Sequence, residues 1–254
     1  MKLRATNFSL RLIIRGMNEI PLKSYHHIAI LLLGGTGTRF GSSKPKQFLP
    51  MGGQALCLYG AKALEKSPWV DLIVYVIPEG YEKNFALLLA EAGHQKPSLT
   101  IPGGPTRQAS SALAVSYLVA HGADPSALAL LQDGDRPRLK ESYIEGNFKA
   151  AEEYGAAVTA IPVSDSVAIS KFSGILDGYI PREEVYLLQT PQTFRLGLLH
   201  EAMEIAAKGQ RNYTDEGSLV LQCKGVNPHI VLGNKDNIKI TTKEDQATFE
   251  EGEK

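Results

Sequence analysis

The sequence is poor in cysteine, and it has no long apolar run. Cys57 and Cys223 are its only cysteines and neither belongs to a CxxC pattern, so the sequence predicts no disulfide framework and no structural zinc site. A reducing compartment follows, and we expect a cytoplasmic protein. Apolar runs such as 28–33 are far shorter than the ~18 residues that a spanning helix needs, which predicts no membrane partner.

An excess of one charge is also lacking, because 27 basic residues are balanced by 27 acidic ones. A chain without net charge creates no global field that attracts nucleic acid or an anionic membrane. The aromatic residues, 7% of the chain, do not alternate with basic residues as in a base-stacking platform. We therefore expect no nucleic-acid partner, and any anion-binding site must be local.

The first 26 residues are predicted to form an N-terminal extension before a single domain at 27–254. Residues 1–16 contain four basic residues and no acidic one. They fit either a short targeting segment or translation from a codon upstream of Met17, since they lack the cleavage site and the continuous apolar core of a secretory signal. Under both interpretations the extension lies outside the fold.

From residue 28 onward, short β-rich runs alternate with segments of helical period. This order predicts an α/β fold with a Rossmann-like, mostly parallel sheet and flanking helices. Residues 164–188 lack the helical period and predict two strands around Gly174, which we interpret as a projecting β-arm. The predicted strands lie near 28–33, 71–77, 98–101, 127–132, 156–162 and 228–232, and the predicted helices near 55–66, 80–92, 108–121, 140–153, 196–208 and 243–250.

The turn after the first strand has the composition of an anion site. Gly34, Gly35 and Gly37 allow the backbone N–H groups to approach an anion, and Arg39 and Lys46 add positive charge. The segment is neither a Walker A loop nor the dinucleotide fingerprint GxGxxG. Two cations in place of the third glycine favour a triphosphate ligand.

These residues resemble the nucleotidyltransferases that activate sugar and polyol phosphates, and more narrowly the 2-C-methyl-D-erythritol 4-phosphate cytidylyltransferase family. The resemblance covers residues 28–250. Any one motif is weak, but their shared order around one βα framework is specific. The segments that carry it are GGTGTRF (34–40), PKQFLP (45–50), GGPTRQASS (103–111), LQDGDRPRL (131–139), QTPQTF (189–194), TDEGSLV (214–220) and DNIKIT (236–241).

The resemblance implies transfer of CMP from CTP to a polyol phosphate with release of pyrophosphate, in the non-mevalonate isoprenoid pathway. A phosphate monoester is already largely dianionic at neutral pH, so the attack needs no general base. The obstacle is repulsion between anions, which cations relieve. The family pattern assigns this catalytic role to Arg39, Lys46 and Lys239.

The same pattern implies a Mg²⁺ ion near Asp133 and substrate binding by Arg136. Asp133 ends an apolar run, and open α/β sheets place ligands at the carboxyl ends of their strands. Asp135 departs from the pattern, which usually has small residues between Asp133 and Arg136. Because an unpaired acid beside a triphosphate is unfavourable, we expect Asp135 to pair with Arg136.

The loop after the third predicted strand resembles a base-recognition loop. Gly103, Gly104 and Ser110 are the predicted nucleotide contacts, with Arg107 at the start of the following helix. The Ser110 hydroxyl can discriminate the amino group of cytosine from the oxygen of uracil. Pro105 is a departure, because proline has no N–H to offer a base, and strictness for CTP over UTP stays open.

The arm and the segments after it are predicted to form the acceptor pocket. Hydroxyls suit a diol and cations suit a phosphate. By resemblance, the arm embraces a second subunit and delivers Arg182 into its neighbour's site, which makes the enzyme a homodimer. The implied acceptor-binding residues are Arg136, Ser166, Arg182, Thr190, Thr214 and Asp215.

Three alternatives remain open. Ribitol 5-phosphate is the acceptor of a sister family with nearly the same motifs, and sugar-1-phosphate nucleotidylyltransferases share GGTGTR. An inactive nucleotide-binding regulator is a third alternative, motivated by the departures Thr36, Pro105 and Asp135. Pyrophosphate release from CTP with a polyol phosphate excludes it.

Overall fold

The computed structural model describes residues 21–34, 44–172 and 174–252. The predicted site residues Gly35, Gly37 and Arg39 therefore lie outside the described part of the chain. The strands, in chain order, are β1 (His27–Leu32), β2 (Pro50–Met51), β3 (Gln54–Ala55), β4 (Leu72–Ile77), β5 (Ser98–Pro102), β6 (Leu128–Asp133), β7 (Ala156–Pro162), β8 (Val167–Ile169), β9 (Gly178–Ile180), β10 (Tyr186–Arg195) and β11 (His229–Leu232).

Seven of these strands form the central sheet, in the order β11–β7–β10–β6–β1–β4–β5. All its neighbouring strands run parallel except where β10 pairs antiparallel with β6 and with β7. Every residue of β4 and of β6 is buried, as expected for strands that helices cover on both faces. The prediction of an α/β fold with a mostly parallel sheet is confirmed.

Side chains alternate between the two faces along each strand, so each face has its own core. Ile28 and Ile30 of β1 join one core, whereas Ala29 and Leu31 join the other. The helices are α1 (Leu56–Lys66), α2 (Glu82–Glu91), α3 (Arg107–Ala120), α4 (Glu141–Tyr154), α5 (Leu196–Lys208), α6 (Glu216–Lys224) and α7 (Lys243–Glu251). Helices α3, α5 and α6 cover the first face, and α1, α2 and α4 cover the second. Among the described residues, no helix is long and apolar enough to cross a membrane.

Strand β10 was not among the predicted strands, although it lies inside the sheet. Pro191 interrupts its sequence, and a proline argues against a central strand because it has no N–H for the ladder. The structure accommodates this residue with a register shift against β7 between Leu188 and Gln192. Residues 186–188, which the prediction gave to the arm, belong to this strand.

The projecting β-arm is present as a separate two-stranded sheet. Strands β8 and β9 pair antiparallel, from Val167 opposite Ile180 to Ile169 opposite Gly178. Gly174 lies at the turn between them with φ +85°, a conformation that glycine adopts without strain.

The chain enters the fold earlier than the predicted boundary at residue 27. Leu22 is buried and Tyr25 packs against the same core cluster. The interpretation of residues 21–26 as part of an extension outside the fold is therefore wrong for these two side chains, because apolar contact with the sheet holds them.

Candidate active site

The predicted site lies where the parallel strands of the sheet end. Gly34 follows β1, Gly103 follows β5, and Asp133 is the last residue of β6. Since β6, β1, β4 and β5 are adjacent and parallel, their carboxyl ends form one edge. Ligands of open α/β sheets bind at this edge.

The hydroxyl of Ser110 joins two glycine segments. Its Oγ accepts a hydrogen bond from the Gly104 N–H at 3.0 Å. A Cβ placed on Gly34 would stand 3.1 Å from this oxygen, and one on Gly103 would stand 3.2 Å from it, which is tighter than most side-chain contacts. These four predicted nucleotide-binding residues are thus brought together, with Ser110 fixing the loop. Base reading by its hydroxyl stays a prediction.

Lys46 is a buried cation in this region. It opens a short 3-10 turn, Lys46–Phe48, directly after Pro45. Its Nζ donates to Asp135 Oδ2 at 2.7 Å and to the Ile240 carbonyl at 2.5 Å. The side chain therefore joins the loop after β6 to the segment before α7.

The pairing predicted between Asp135 and Arg136 is wrong. Asp135 takes Lys46 as its partner, while Arg136 Nη1 donates to the Asn237 carbonyl at 2.6 Å. Lys46 lies 89 positions away in sequence but next to Asp135 in space. Burial, partly opposed by the charges of Asp133 and Asp135, lowers the pKa of Arg136.

Asp133 is the centre of an ion-pair network. Its Oδ1 accepts from Arg107 Nε and its Oδ2 from Lys239 Nζ, both at 2.7 Å. Arg107 Nη1 also donates to both carboxylate oxygens of Glu216, at 2.7 and 2.8 Å. The Asp133 N–H donates to Thr190 Oγ1 at 3.1 Å. One carboxylate thus holds the start of α3, a residue of the DNIKIT segment and, through Arg107, the start of α6.

The network fixes the charge states of its members. Burial raises the pKa of Asp133, but Arg107 and Lys239 outweigh it and hold the pKa well below its usual range. Burial lowers the pKa of Arg107, but Asp133 and Glu216 outweigh it and raise the pKa. The carboxylate and the guanidinium are therefore charged at neutral pH.

A cavity of about 290 Å³ opens beside this network. Six of the predicted site residues contribute to its wall: Asp133, Arg136, Thr190, Thr214, Asp215 and Lys239. The other lining residues are Arg107, Leu188, Gln189 and Gln192. The wall combines cations, hydroxyls and amides, which are groups that hold a phosphorylated polyol.

Two residues of this region were missed by the sequence reasoning. Gln192 Nε2 donates to Asp215 Oδ2 at 2.9 Å, and its Oε1 accepts from the Gly217 N–H at 3.0 Å. Asp215 also caps α6 by accepting from the Ser218 N–H at 2.9 Å. Glu216 is the second missed residue. Both lie inside the motifs QTPQTF and TDEGSLV, but only their contacts in the structure identify them as partners of site residues.

Two predicted acceptor residues lie outside the cavity wall in this chain. Ser166 is exposed at the base of the arm. Arg182 Nη1 donates to the Ser164 carbonyl at 3.2 Å, and its Nε lies 3.5 Å from Glu183. Neither residue is among those that line the cavity.

Comparison with known proteins gives consistent results. The family model that matches residues 27–251 is described as IspD, 2-C-methyl-D-erythritol 4-phosphate cytidylyltransferase. A protein of that name from Thermosipho melanesiensis is 35% identical over 219 residues, which are 86% of this chain and 94% of that protein.

Two crystal structures have a similar fold. The 2-C-methyl-D-erythritol 4-phosphate cytidylyltransferase from Thermus thermophilus is 28% identical, with a TM-score of 0.70 over 87% of this chain and 96% of its own. A 4-diphosphocytidyl-2C-methyl-D-erythritol synthase from Anaerococcus prevotii is 25% identical, with a TM-score of 0.77 over 90% of this chain and 98% of its own.

Proposed function

The chain belongs to the 2-C-methyl-D-erythritol 4-phosphate cytidylyltransferase family, as its motifs predict, and from this premise we propose that it transfers CMP from CTP to 2-C-methyl-D-erythritol 4-phosphate. The products are pyrophosphate and the cytidine diphosphate derivative of the polyol. The reaction belongs to the non-mevalonate route to isoprenoids. The matched relatives also favour the methylerythritol acceptor over ribitol 5-phosphate, because the names of the proteins reported above refer to methylerythritol.

The observation that carries this proposal is the line of cations along the strand-end edge. Lys46, Arg107 and Lys239 each form an ion pair with a carboxylate of the loop that ends β6. In a reaction between two anions, fixed cations lower the barrier by stabilising the charge that builds on the α-phosphoryl group and on the leaving pyrophosphate.

The bond changes are those of an in-line phosphoryl displacement. A phosphate oxygen of the acceptor forms a bond to the α-phosphorus of CTP, and the bond from that phosphorus to the bridging oxygen of pyrophosphate breaks. The attacking phosphate is already dianionic, so no side chain has to remove a proton. Lys46 and Lys239 neutralise the triphosphate, while Thr190, Thr214 and Arg136 orient the acceptor.

A Mg²⁺ ion fits the donor chemistry of the site. Asp133 presents a carboxylate in the cavity wall, and Mg²⁺ binds through one or two carboxylates together with substrate phosphates. Among the described residues, no group of three or more His, Cys, Asp or Glu is arranged to hold a metal ion without the nucleotide. When bound, Mg²⁺ would neutralise charge on the phosphates.

Purified protein with Mg²⁺ and CTP tests the proposed function by release of pyrophosphate. Turnover with methylerythritol 4-phosphate and little with ribitol 5-phosphate is the expected result, and UTP in place of CTP tests the consequence of Pro105. Turnover with ribitol 5-phosphate alone would show that the enzyme has the activity of the sister family. The absence of turnover with both acceptors would favour the regulator alternative.

A homodimer is part of the proposal, and the apolar arm supports it. Phe172, Ile175, Leu176 and Tyr179 are each more than 60% exposed, which is unusual for side chains of this size on one small projection. Burial against a second copy removes them from water. Arg182 does not line the cavity of its own chain, which supports a role in the site of a neighbour, and we expect the dimer in the cytoplasm.

Arg182→Ala is expected to raise the KM for the acceptor roughly tenfold, because one charge-assisted contact to the acceptor phosphate is lost. The KM for CTP and the stability of the fold should change little, since Arg182 is exposed and its contacts are with Ser164 and Glu183. Lys171→Ala, a charge change on the same arm, is the matched control. An unchanged KM for the acceptor would show that the arm does not reach a site.

Mixing two impaired variants, assayed at an acceptor concentration well below the KM of Arg182→Ala, tests whether Arg182 acts in the neighbouring subunit. A heterodimer of Arg182→Ala and Lys46→Ala chains contains one site with an intact Lys46 that receives Arg182 from its partner. Activity should therefore reappear on mixing and subunit exchange. If Arg182 acts within its own chain, both sites of the heterodimer stay defective and no activity returns.

A further inference from the structure

Asp135, the carboxylate that departs from the family pattern, lies beside Asp133 in the ion-pair network. Lys239 Nζ is 2.7 Å from Asp133 Oδ2 and 3.9 Å from Asp135 Oδ1. Both aspartates are buried, with 7% and 8% of their surface exposed. One ammonium group therefore stands between two buried carboxylates.

One oxygen of Asp135 has no hydrogen-bond partner among the residues that the structure describes. Oδ2 accepts from Lys46, but Oδ1 is buried and accepts no hydrogen bond. A buried carboxylate oxygen without a partner is costly, since it has left water without compensation. Lys239 Nζ lies 3.9 Å from it, a distance too long for a hydrogen bond. The arrangement offers a strong acceptor that a cation can use.

The charge balance of the described site residues also depends on Asp135. Four basic side chains line the cavity or belong to its ion-pair network, and four acidic side chains balance them: Lys46, Arg107, Arg136 and Lys239 against Asp133, Asp135, Asp215 and Glu216. A small residue at 135 would leave this set positive. With Asp135 present, a triphosphate needs an additional cation to offset its charge.

We propose that Asp135 and Asp133 together are the protein ligands of the divalent cation that accompanies CTP, and that the Lys239 ammonium holds the place of this charge in the free enzyme. The proposal rests on the proposed function. Mg²⁺ accepts one or two carboxylates alongside phosphate oxygens, and Asp135 Oδ1 is a free oxygen for this role. Lys239, which is one-third exposed, then turns from the carboxylates to the phosphates.

Calorimetric binding of CTP with Mg²⁺ and with EDTA, without acceptor, tests this inference. In wild-type protein Mg²⁺ should strengthen CTP binding. In Asp135→Asn the strengthening should fall by roughly tenfold or more, because a charged ligand is lost. In EDTA the same variant should bind CTP at least as tightly as wild type, because a negative charge beside the triphosphate is gone.

These opposite signs separate a metal ligand from a residue with only a structural role. Asp124→Asn is the matched control, since it removes the same charge at the other end of β6, and it should leave both affinities unchanged. Asp135→Ala places a small residue at this position and serves as a second variant, and thermal unfolding reports whether each variant is folded. The affinity of Mn²⁺ for the CTP complex, measured by electron paramagnetic resonance, should fall in both variants.

An undiminished effect of Mg²⁺ on CTP binding in folded Asp135 variants would overturn the inference and leave Asp135 as the counter-ion of Lys46. The absence of any Mg²⁺ effect in wild-type protein would overturn it as well. The proposed function is decided separately by pyrophosphate release. An enzyme that turns over yet binds metal normally without Asp135 refutes only the inference, and a protein without turnover that loses metal coupling refutes only the function.

Discussion

Lys46→Ala is expected to lower kcat for CMP transfer by about two orders of magnitude or more, the usual effect of removing one preorganised donor from a charged transition state. The lysine is buried and its ammonium is fixed by Asp135 and by the Ile240 carbonyl, so water cannot easily replace it. Pyrophosphate release under saturating CTP and acceptor measures the effect. Activity near that of wild type would refute the catalytic role.

This substitution also leaves Asp135 buried without its partner, which should cost about 3 kcal/mol of the free energy of unfolding. The double variant Lys46→Ala/Asp135→Ala separates stability from catalysis. Removing both charges should restore most of the stability, measured by urea unfolding, while kcat stays low. If activity returned together with stability, the loss in the single variant would have been a folding defect.

Arg107→Met is expected to destabilise the protein by about 3 to 5 kcal/mol, the cost of breaking a buried ion pair by removing one partner. Arg107 contacts both Asp133 and Glu216, so its loss removes the ion pair of Glu216 and leaves Asp133 paired with Lys239 alone. A typical domain has only about 5 to 15 kcal/mol in total. Urea unfolding should therefore show a much lower midpoint.

The difference in stability between wild type and variant should shrink in acid. In the wild type the pKa of Asp133 is below its unfolded value of about 3.9, so the contribution of this group to stability is fully present above that value and declines as the pH falls toward the folded pKa. Without Arg107, only Lys239 is left to lower the pKa of Asp133, while burial continues to raise it. The urea midpoints of the variant and the wild type should therefore converge as the pH falls below about 4, and a gap that widens in acid would contradict this explanation.

Two companion variants test this explanation. Arg107→Met/Glu216→Gln also removes the negative charge of Glu216, which Arg107 no longer neutralises, and should recover part of the stability. Lys149→Met breaks the exposed pair with Glu145 and a contact with the Trp69 ring, and it should change the urea midpoint little. Equal midpoints for Arg107→Met and Lys149→Met would mean that the buried network does not stabilise the fold.

The sequence predicted the parallel sheet because its signals are local. The apolar runs that form β1, β4, β5, β6, β7 and β11 each announce a strand by composition alone, and the helices between them follow from period. Strand β10 was not predicted, since the local signal of Pro191 argues against a strand. Its place between β6 and β7 depends on two partners that are distant in sequence.

The candidate site divides in the same way. The motifs predicted six site residues that the structure brings to one cavity wall: Asp133, Arg136, Thr190, Thr214, Asp215 and Lys239. The motifs did not indicate that Arg107 turns to Glu216 and Asp133. That choice depends on the start of α6 packing beside the start of α3, which no local pattern encodes.

The sequence by itself determined the fold class, the family and the cations that the chemistry needs, because strand period, glycine spacing and motif order are written along the chain. Tertiary structure decided which charge meets which. Asp135 is next to Arg136 in sequence, yet it pairs with Lys46 at 2.7 Å. An ion pair forms where folding brings opposite charges within reach in a buried place, and distance in space, not separation along the chain, sets its strength.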